Sequence, residues 1–582
     1  MTGTGFDTVT AVALLAAAAA TVVVGAYGGR LSRTTSDFLV ASRAVGPRWN
    51  AAAISGEYLS AASFLGVAGL VAKYGADALW YPVGFTAGYL GLLLFVVAPL
   101  RRSGAYTVPD FAEFRLASRA ARTVAMLVVV AVCVLYLIPQ FQGAGLTLNI
   151  LLGAPVWVGV VAVGVIVIAN VVGGGMRSIT FVQAFQYWLK LSAIAVPALI
   201  LGALFLGDRE PLGDPAPPTV EVATTVDVTT DTTLSVSRPA GVTVTGTLDG
   251  VTVHDAPIST PGEHVVGAGT TIYLDAGAAT PVVAGAPDTG ADWLRPGGGL
   301  GGDHALYQVY SLIIATFLGT MGLPHVLVRF YTNPDGRTAR RTALAVIALL
   351  GLFYLFPLLL GVFARLYVPQ LLITGTADAA VLLLPSAAVG GLGGQVLGAL
   401  VAAGAIAAFL ATSSGLLVSV AGALSTDLLP GRVRDFRVAA AVGGLVAIGL
   451  SLAASSLELS RTVGLVFAVA ASTLCPLLVL GIWWRGLTAP GAIAGMLVGG
   501  VTSATATSLA ISRAVPESVL GGWPAVIVGY PAAVTVPLAF ATMVVVSLAT
   551  RRRAPGDLAR TFARMHVPER LGMGLERLPT QR

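Results

Sequence analysis

Apolar runs long enough to cross about 30 Å of hydrocarbon recur along the whole chain, separated by short polar stretches. Thirteen spans are predicted, over residues 8–29, 50–72, 78–100, 122–147, 155–173, 179–206, 304–331, 342–365, 386–426, 438–457, 462–482, 490–511 and 525–549. Only one interruption is long. Residues 208–303 are polar and rich in Thr, Val, Gly and Pro, and the stretches TLSVS, GVTVTGT and VTVHD alternate with a period of two. That period reads as short β-strands. A disordered acidic loop is the other reading of the same composition.

Composition points the same way. Of the 582 residues, 56% are hydrophobic and 11% charged, against about a quarter charged in a soluble domain. Lipid must therefore replace most of the aqueous surface. The formal charge of +6 comes almost wholly from arginine, because Lys73 and Lys190 are the only lysines. These arginines fall in alternate loops: Arg30, Arg33, Arg43 and Arg48; Arg101, Arg102, Arg115 and Arg119; Arg177; Arg337, Arg340 and Arg341; Arg432, Arg434 and Arg437; Arg485; and the tail after 550. Such alternation marks cytoplasmic loops rather than nucleic-acid binding. It predicts an external N-terminus, an uncleaved first helix, an external insert and a cytoplasmic tail. The insert carries thirteen acids against three arginines, which suits the outer face. Cys133 and Cys475 lie in apolar runs and suggest neither a disulfide framework nor a metal cluster.

The insert divides the spans. Residues 1–49 hold one extra helix and a loop, 50–206 five spans, 207–303 the insert, 304–482 five spans, 483–549 two peripheral helices and 550–582 a basic tail. An odd number of spans per half gives the halves opposite orientation, as an inverted repeat requires.

Polar residues inside spans mark the candidate site. The first span of the first half carries Gly56, Glu57, Tyr58, Ser60, Ser63 and Gly66; Gly56 and Gly66 are the expected points of unwinding. The alternative is close helix packing with Glu57 near the headgroups. The first span after the insert carries Gly319, Thr320, Gly322, Pro324, His325 and Arg329. A proline beside glycines favours a break there. His325 is a proton carrier, a substrate donor or a structural hydrogen-bonder, and Arg329 is expected at the cytoplasmic end. Thr412, Ser413 and Ser414 supply hydroxyls deep in another span, as cation ligands or as bonds to the preceding turn.

The segments GEYLSAASFLG (56–66), MGLPHVLVRFYT (321–332), GALSTDLL (422–429) and LVFAVAASTLCPLLVLGIWW (465–484) resemble the sodium:solute symporter family, most closely its cation/acetate and monocarboxylate branch. The tail 562–578 shares the resemblance; the 208–303 insert does not. The resemblance implies an all-α polytopic membrane protein with a LeuT-type five-plus-five inverted repeat and alternating access. It implies Na⁺ held by the carbonyls of Gly56 and Leu59, by Ala408, Ala411 and Thr412 on the eighth core helix, with Ser413 adjacent. Many relatives have a hydroxyl where Ala411 stands, and Gln183 occupies a position that is Asp in the sodium–sugar members. The implied solute is a small anionic one, acetate or another short monocarboxylate, lined by Glu57, Tyr58, Ser60, Ser63, Thr320, Gly322 and His325. A longer monocarboxylate, an amino acid or a polyol is the alternative solute. The expected setting is the bacterial cytoplasmic membrane.

Lys190 is the competing clue, because a mid-membrane lysine needs a carboxylate, bound water or a shifted ionisation. A permanent charge 4 Å from Na⁺ would cost roughly 4 kcal/mol at an effective dielectric of about 20. The expectation is therefore that Lys190 turns away, toward Glu57 or the substrate, and coupling stays with Na⁺. The alternative makes Lys190 itself the protonated element and H⁺ the coupling ion. No other cofactor is expected. The 33 residues after 549 are too few for a signalling kinase, and no nucleotide loop is visible, so a transporter rather than a sensor or an enzyme is expected. No feature of the sequence sets an oligomeric state.

Overall fold

The computed structural model describes residues 8–30, 45–208, 212–228, 230–297, 304–374, 377–429, 432–454, 459–512, 522–553 and 555–568. Arg33, Arg43, Arg513 and the tail beyond 568 lie outside them.

Helix α1 (Thr8–Arg30) precedes a broken pair, α2 (Pro47–Tyr58) and α3 (Val67–Tyr74, entered through a π-turn over Ala62–Gly66). Next come α4 (Trp80–Gly91), α5 (Val97–Ser103), the short α6 (Val108–Leu116), α7 (Arg119–Leu152) and α8 (Val156–Asp208). Gly175 kinks α8, with φ of 59° and ψ of −167°, leaving spans Val156–Met176 and Ser178–Gly207. After the insert and its short α9 (Gly290–Leu294) the order repeats. A broken pair, α10 (Ala305–Gly322) and α11 (Pro324–Phe330), leads to α12 (Gly336–Tyr367), the short α13 (Ala380–Ala388), α14 (Gly391–Asp427), α15 (Val433–Ala453) and α16 (Leu459–Trp483). Helices α17 (Ala489–Ser512), α18 (Trp523–Gly529), α19 (Ala532–Ala549) and α20 (Leu558–His566) close the chain. Broken helix, long helix, short helix and three further spans thus occur twice. This is the all-α, five-plus-five arrangement expected.

Twelve helical stretches among the described residues are long and apolar enough to span a bilayer, against thirteen expected. The difference lies in Ala62–Ser103, whose 42 residues count as one. At 1.5 Å per residue it would measure about 63 Å, twice the hydrocarbon thickness. It turns at Gly75–Leu79, so it makes two passes, the first shared with α2.

The insert folds as an antiparallel sheet, not a loop. Strands β1 (Thr224–Val228), β2 (Thr232–Val236), β3 (Val242–Leu248), β4 (Val251–Pro257), β5 (Gly262–Val266), β6 (Thr270–Leu274) and β7 (Val282–Val283) are ordered β1-β6-β3-β5-β2-β7, with β4 on β3. The period-two segments fall on β2, β3 and β4. Their inward residues, with Leu234, Val244 and Ile272 fully buried, form a core separate from the helices. Ile373, between α12 and α13, completes that core. Trp293 Nε1 donates to the Val71 carbonyl at 2.7 Å, and Arg365 Nη2 donates to the carbonyls of Pro287 and Asp288 at 3.1 Å. These contacts seat the insert on the ends of α3 and α12.

At the opposite end arginines tie loops together. Arg122 meets Asp110 at 2.8 Å, Glu113 at 2.5 Å and Asp427 at 2.6 Å, joining α6, α7 and α14. Arg115 donates to the Gly481 carbonyl at 2.7 Å, and burial lowers its pKa to about 10. Tail helix α20 packs there through Phe562 and Met565.

Candidate functional site

The two helix breaks carry the site. Between α2 and α3 the ladder is diverted: Ser60 N–H donates to the Tyr58 carbonyl at 2.8 Å, and Phe64 N–H to the Ser60 carbonyl at 3.0 Å. Ala61 N–H turns instead to Gln140 Oε1, at 3.5 Å. The carbonyls of Gly56, Glu57 and Leu59 thereby lose their helical donors and must find others. The break falls at Leu59–Ser60, where Leu59 has ψ of 83°, not at either expected glycine. Gly56 serves close packing: a Cβ there would strike the Gln183 carbonyl. Gly66 sits against Ser460. The second break is at Leu323, held at ψ of 115° as the residue before Pro324 prefers. Gly322, expected at the substrate, packs against the Ala470 carbonyl of α16.

Lys190 overturns its expectation. Its Nζ donates to the Gly56 carbonyl and, at 2.6 Å, to the Leu59 carbonyl. It does not turn away from the implied cation ligands; it sits on two of them. The physical cause is mutual need, because a fully buried ammonium has three donors and the break supplies unpaired acceptors. The close approach of α2 to α8 at Gly56 brings the two within reach.

Glu57 pairs elsewhere. Its Oε2 meets Arg329 Nε at 2.6 Å, with both side chains 1% exposed. Arg329, in the last turn of α11, is therefore fully buried and paired. Its remaining donors reach Thr180 Oγ1 at 2.8 Å and Gln183 Oε1. A guanidinium with planar, directed donors can thus tie α11 to both α2 and α8. Gly415 makes room, since a Cβ there would collide with the Glu57 carboxyl.

The other implied cation ligands are also engaged. Thr412 Oγ1 donates to the Glu57 carbonyl at 2.6 Å, and Gln183 Nε2 to the Ala411 carbonyl at 2.8 Å. Ala408 is buried one turn before Thr412, and Ser413 Oγ is buried without a partner. Gly56, Leu59, Ala411, Thr412 and Gln183 are thus gathered around the first break, with Lys190 Nζ on two of the carbonyls.

The expected substrate residues flank both breaks. Tyr58 Oη lies 2.9 Å from Thr320 Oγ1 and donates to the Phe85 carbonyl at 3.1 Å. Ser63 Oγ lies 2.9 Å from Tyr354 Oη, and Ser60 bonds the Tyr136 hydroxyl. His325 is fully buried, edge-on to Tyr136 with ring centroids 5.5 Å apart. Sequence reasoning missed the aromatic wall: Phe85, Tyr89 and Phe467 pack on Tyr58, with Tyr354 against Phe85 and Tyr136 against Phe467. It also missed Gln140, though a glutamine beside Pro139 in mid-span was a visible signal.

Two broken helices brought together, with the Lys190 amino group on two freed carbonyls of the first, are the architecture of a membrane transporter. The chain belongs to the Sodium:solute symporter family, whose model matches residues 38–206 and 284–499. It is 30% identical over 576 residues to a symporter of Bacillus subtilis, YwcA, covering 97% of this chain and 98% of that one. It is likewise 30% identical over 570 residues to a monocarboxylic acid transporter of Corynebacterium glutamicum, covering 94% and 92%. The fold matches a Na⁺-coupled sialic acid symporter with a TM-score of 0.61, at 14% identity and over 94% of this chain and 98% of that one. This chain is accordingly a multi-pass membrane symporter, not an enzyme.

Proposed function

We propose that this symporter moves a short monocarboxylate, acetate or a near homologue, together with a proton. The observation that carries the coupling is Lys190 Nζ on the carbonyls of Gly56 and Leu59. An ammonium there supplies the positive charge that Na⁺ would bring and repels a second cation by several kcal/mol. The solute class rests on the Corynebacterium glutamicum relative, a monocarboxylic acid transporter. Charge balance supports it: in the group formed by Lys190, Arg329 and Glu57, the positive charges outnumber the negative by one when Lys190 is protonated. One carboxylate neutralises that excess, so proton and anion favour each other's binding. Losing the proton removes one positive charge and weakens the tether from α8 to the break, which favours release of both.

Reconstituted protein should take up acetate under an imposed pH gradient (acid on the uptake side) in Na⁺-free buffer, and Lys190→Met should lose that response. Uptake that ignores the pH gradient and follows Na⁺ alone would return the coupling to Na⁺.

The membrane is proposed to be the bacterial cytoplasmic membrane, with the acidic insert outside and the arginine-rich end inside. Single cysteines at Thr230 and Thr561 should react with an impermeant reagent from opposite faces. Reaction of both from one face would reverse that assignment.

A further inference from the structure

Tyr89 Oη, Gln140 Nε2 and both ring nitrogens of His325 are buried polar atoms without a hydrogen-bond partner among the described residues. Each such atom in a packed core costs about 1–3 kcal/mol unless something meets it. They are not scattered. Tyr89 stacks edge-on against Tyr58 with centroids 4.6 Å apart, and Tyr58 is the last residue of α2 before the first break. Gln140 Oε1 faces the Ala61 amide just beyond that break, which leaves its Nε2 as the unused end. His325 follows Pro324 at the second break and meets Tyr136, one turn before Gln140 on α7. Tyr58 and Tyr136 both pack on Phe467, with centroids at 6.4 and 6.0 Å. One aromatic cluster therefore joins all three groups.

Each group can offer a proton: a phenol O–H, an amide N–H and an imidazole N–H. Unpartnered oxygens such as Glu57 Oε1 share this core, but the charge of Glu57 is already met by Arg329, so three unused donors beside the breaks suit an anion. The surroundings restrict its shape, because Phe85 lies 5.0 Å from Phe467 and 6.4 Å from Tyr354 by ring centroids, closing one side with flat apolar surface.

We propose that Tyr89, Gln140 and His325 bind the carboxylate of the transported anion, and that the Phe85–Phe467 wall limits the length of its acyl chain. This rests on the monocarboxylate reading above and extends it to named donors and a size limit. The carboxylate would lie between the breaks, where it interacts with the net positive charge of the Lys190, Arg329 and Glu57 group. The donors read the anion and the wall reads its length.

The test is acetate exchange at equal pH on both sides of proteoliposomes, which needs no gradient and so is independent of the coupling ion. Wild type should exchange acetate and propionate, and the neutral isostere acetamide should not compete. Tyr89→Phe removes only the hydroxyl, whereas Gln140→Leu removes the amide donor together with the Oε1 that receives the Ala61 N–H. Each should raise the half-saturation for acetate about 10- to 100-fold, as loss of a hydrogen bond to a charged group does. Phe467→Ala should admit butyrate and hexanoate as competitors. If a well-folded Tyr89→Phe and Gln140→Leu both keep the wild-type half-saturation, the donor assignment is wrong. Hexanoate excluded from Phe467→Ala as from wild type would remove the size limit. Failure of wild type to exchange any monocarboxylate would instead sink the proposed solute class.

Discussion

Ion pairs in the helical core and in the insert follow opposite rules. In the core, Glu57 and Arg329 are 1% exposed, and the guanidinium is matched donor by donor to Glu57, Thr180 and Gln183. In the insert, His264 Nδ1 lies 2.8 Å from Asp249 Oδ2, but the Asp249 side chain is 50% exposed. Water can replace either partner of the second pair at little cost and neither partner of the first. A charge buried in the core is therefore held in one arrangement. A change in its protonation or partner must be answered by movement of the helices, which is what a transporter requires. The insert needs no such sensitivity; its stability comes from Leu234, Val244, Ile272 and their neighbours.

Breaking the core pair should have the larger effect. Glu57→Gln leaves Arg329 buried without its counter-charge, and removing one partner of a buried pair costs about 3–5 kcal/mol. The variant should show a strongly lowered melting temperature in detergent, or fail to accumulate. Glu57→Gln combined with Arg329→Met should recover part of the loss. A Glu57→Gln protein that melts like wild type would show that the pair does not hold α2 to α11.

The insert pair should matter least. Hydrogen bonding to Asp249 raises the His264 pKa, and hydrogen bonding to His264 lowers that of Asp249. The histidine's contribution is complete below its unfolded pKa and is lost as pH rises through the raised folded one. The carboxylate's is complete above its unfolded pKa and is lost as pH falls through the lowered folded one. Their joint effect peaks between roughly pH 4 and 6.5. His264→Ala should weaken the insert by less than about 1 kcal/mol near pH 5.5 and scarcely at pH 9. Amide exchange over β5 at the two pH values measures this; an equal loss at both would trace the effect to packing instead.

Much of this was legible in the sequence because it is local. Each span is a continuous apolar run, β2 and β3 of the insert alternate within a few residues, and the polar clusters at 56–63 and 320–325 sit where the helices break. Pro324 fixed the second break by its own chemistry. The first break was misplaced because Gly56 and Gly66 resemble hinges, whereas the chain uses them to let helices approach. The two spans counted over 50–100 are two passes, separated at Gly75–Leu79 although π-turns and a 3₁₀ turn join them into one helical stretch.

The partners of the buried charges were decided by tertiary structure. Lys190 reaches carbonyls 134 and 131 residues earlier, and Arg329 reaches a carboxylate 272 residues earlier. Nothing in the local pattern distinguishes Glu57 from Gly56 as the acceptor for Lys190, because a buried ammonium accepts a carboxylate or unpaired carbonyls alike. The sequence determined that a lysine and a glutamate would lie within apolar spans, with an arginine near the end of another, and that two helices would be interrupted. Only the packing of α8 and α11 against α2 decided that the arginine takes the carboxylate, and that the lysine is left with the broken backbone.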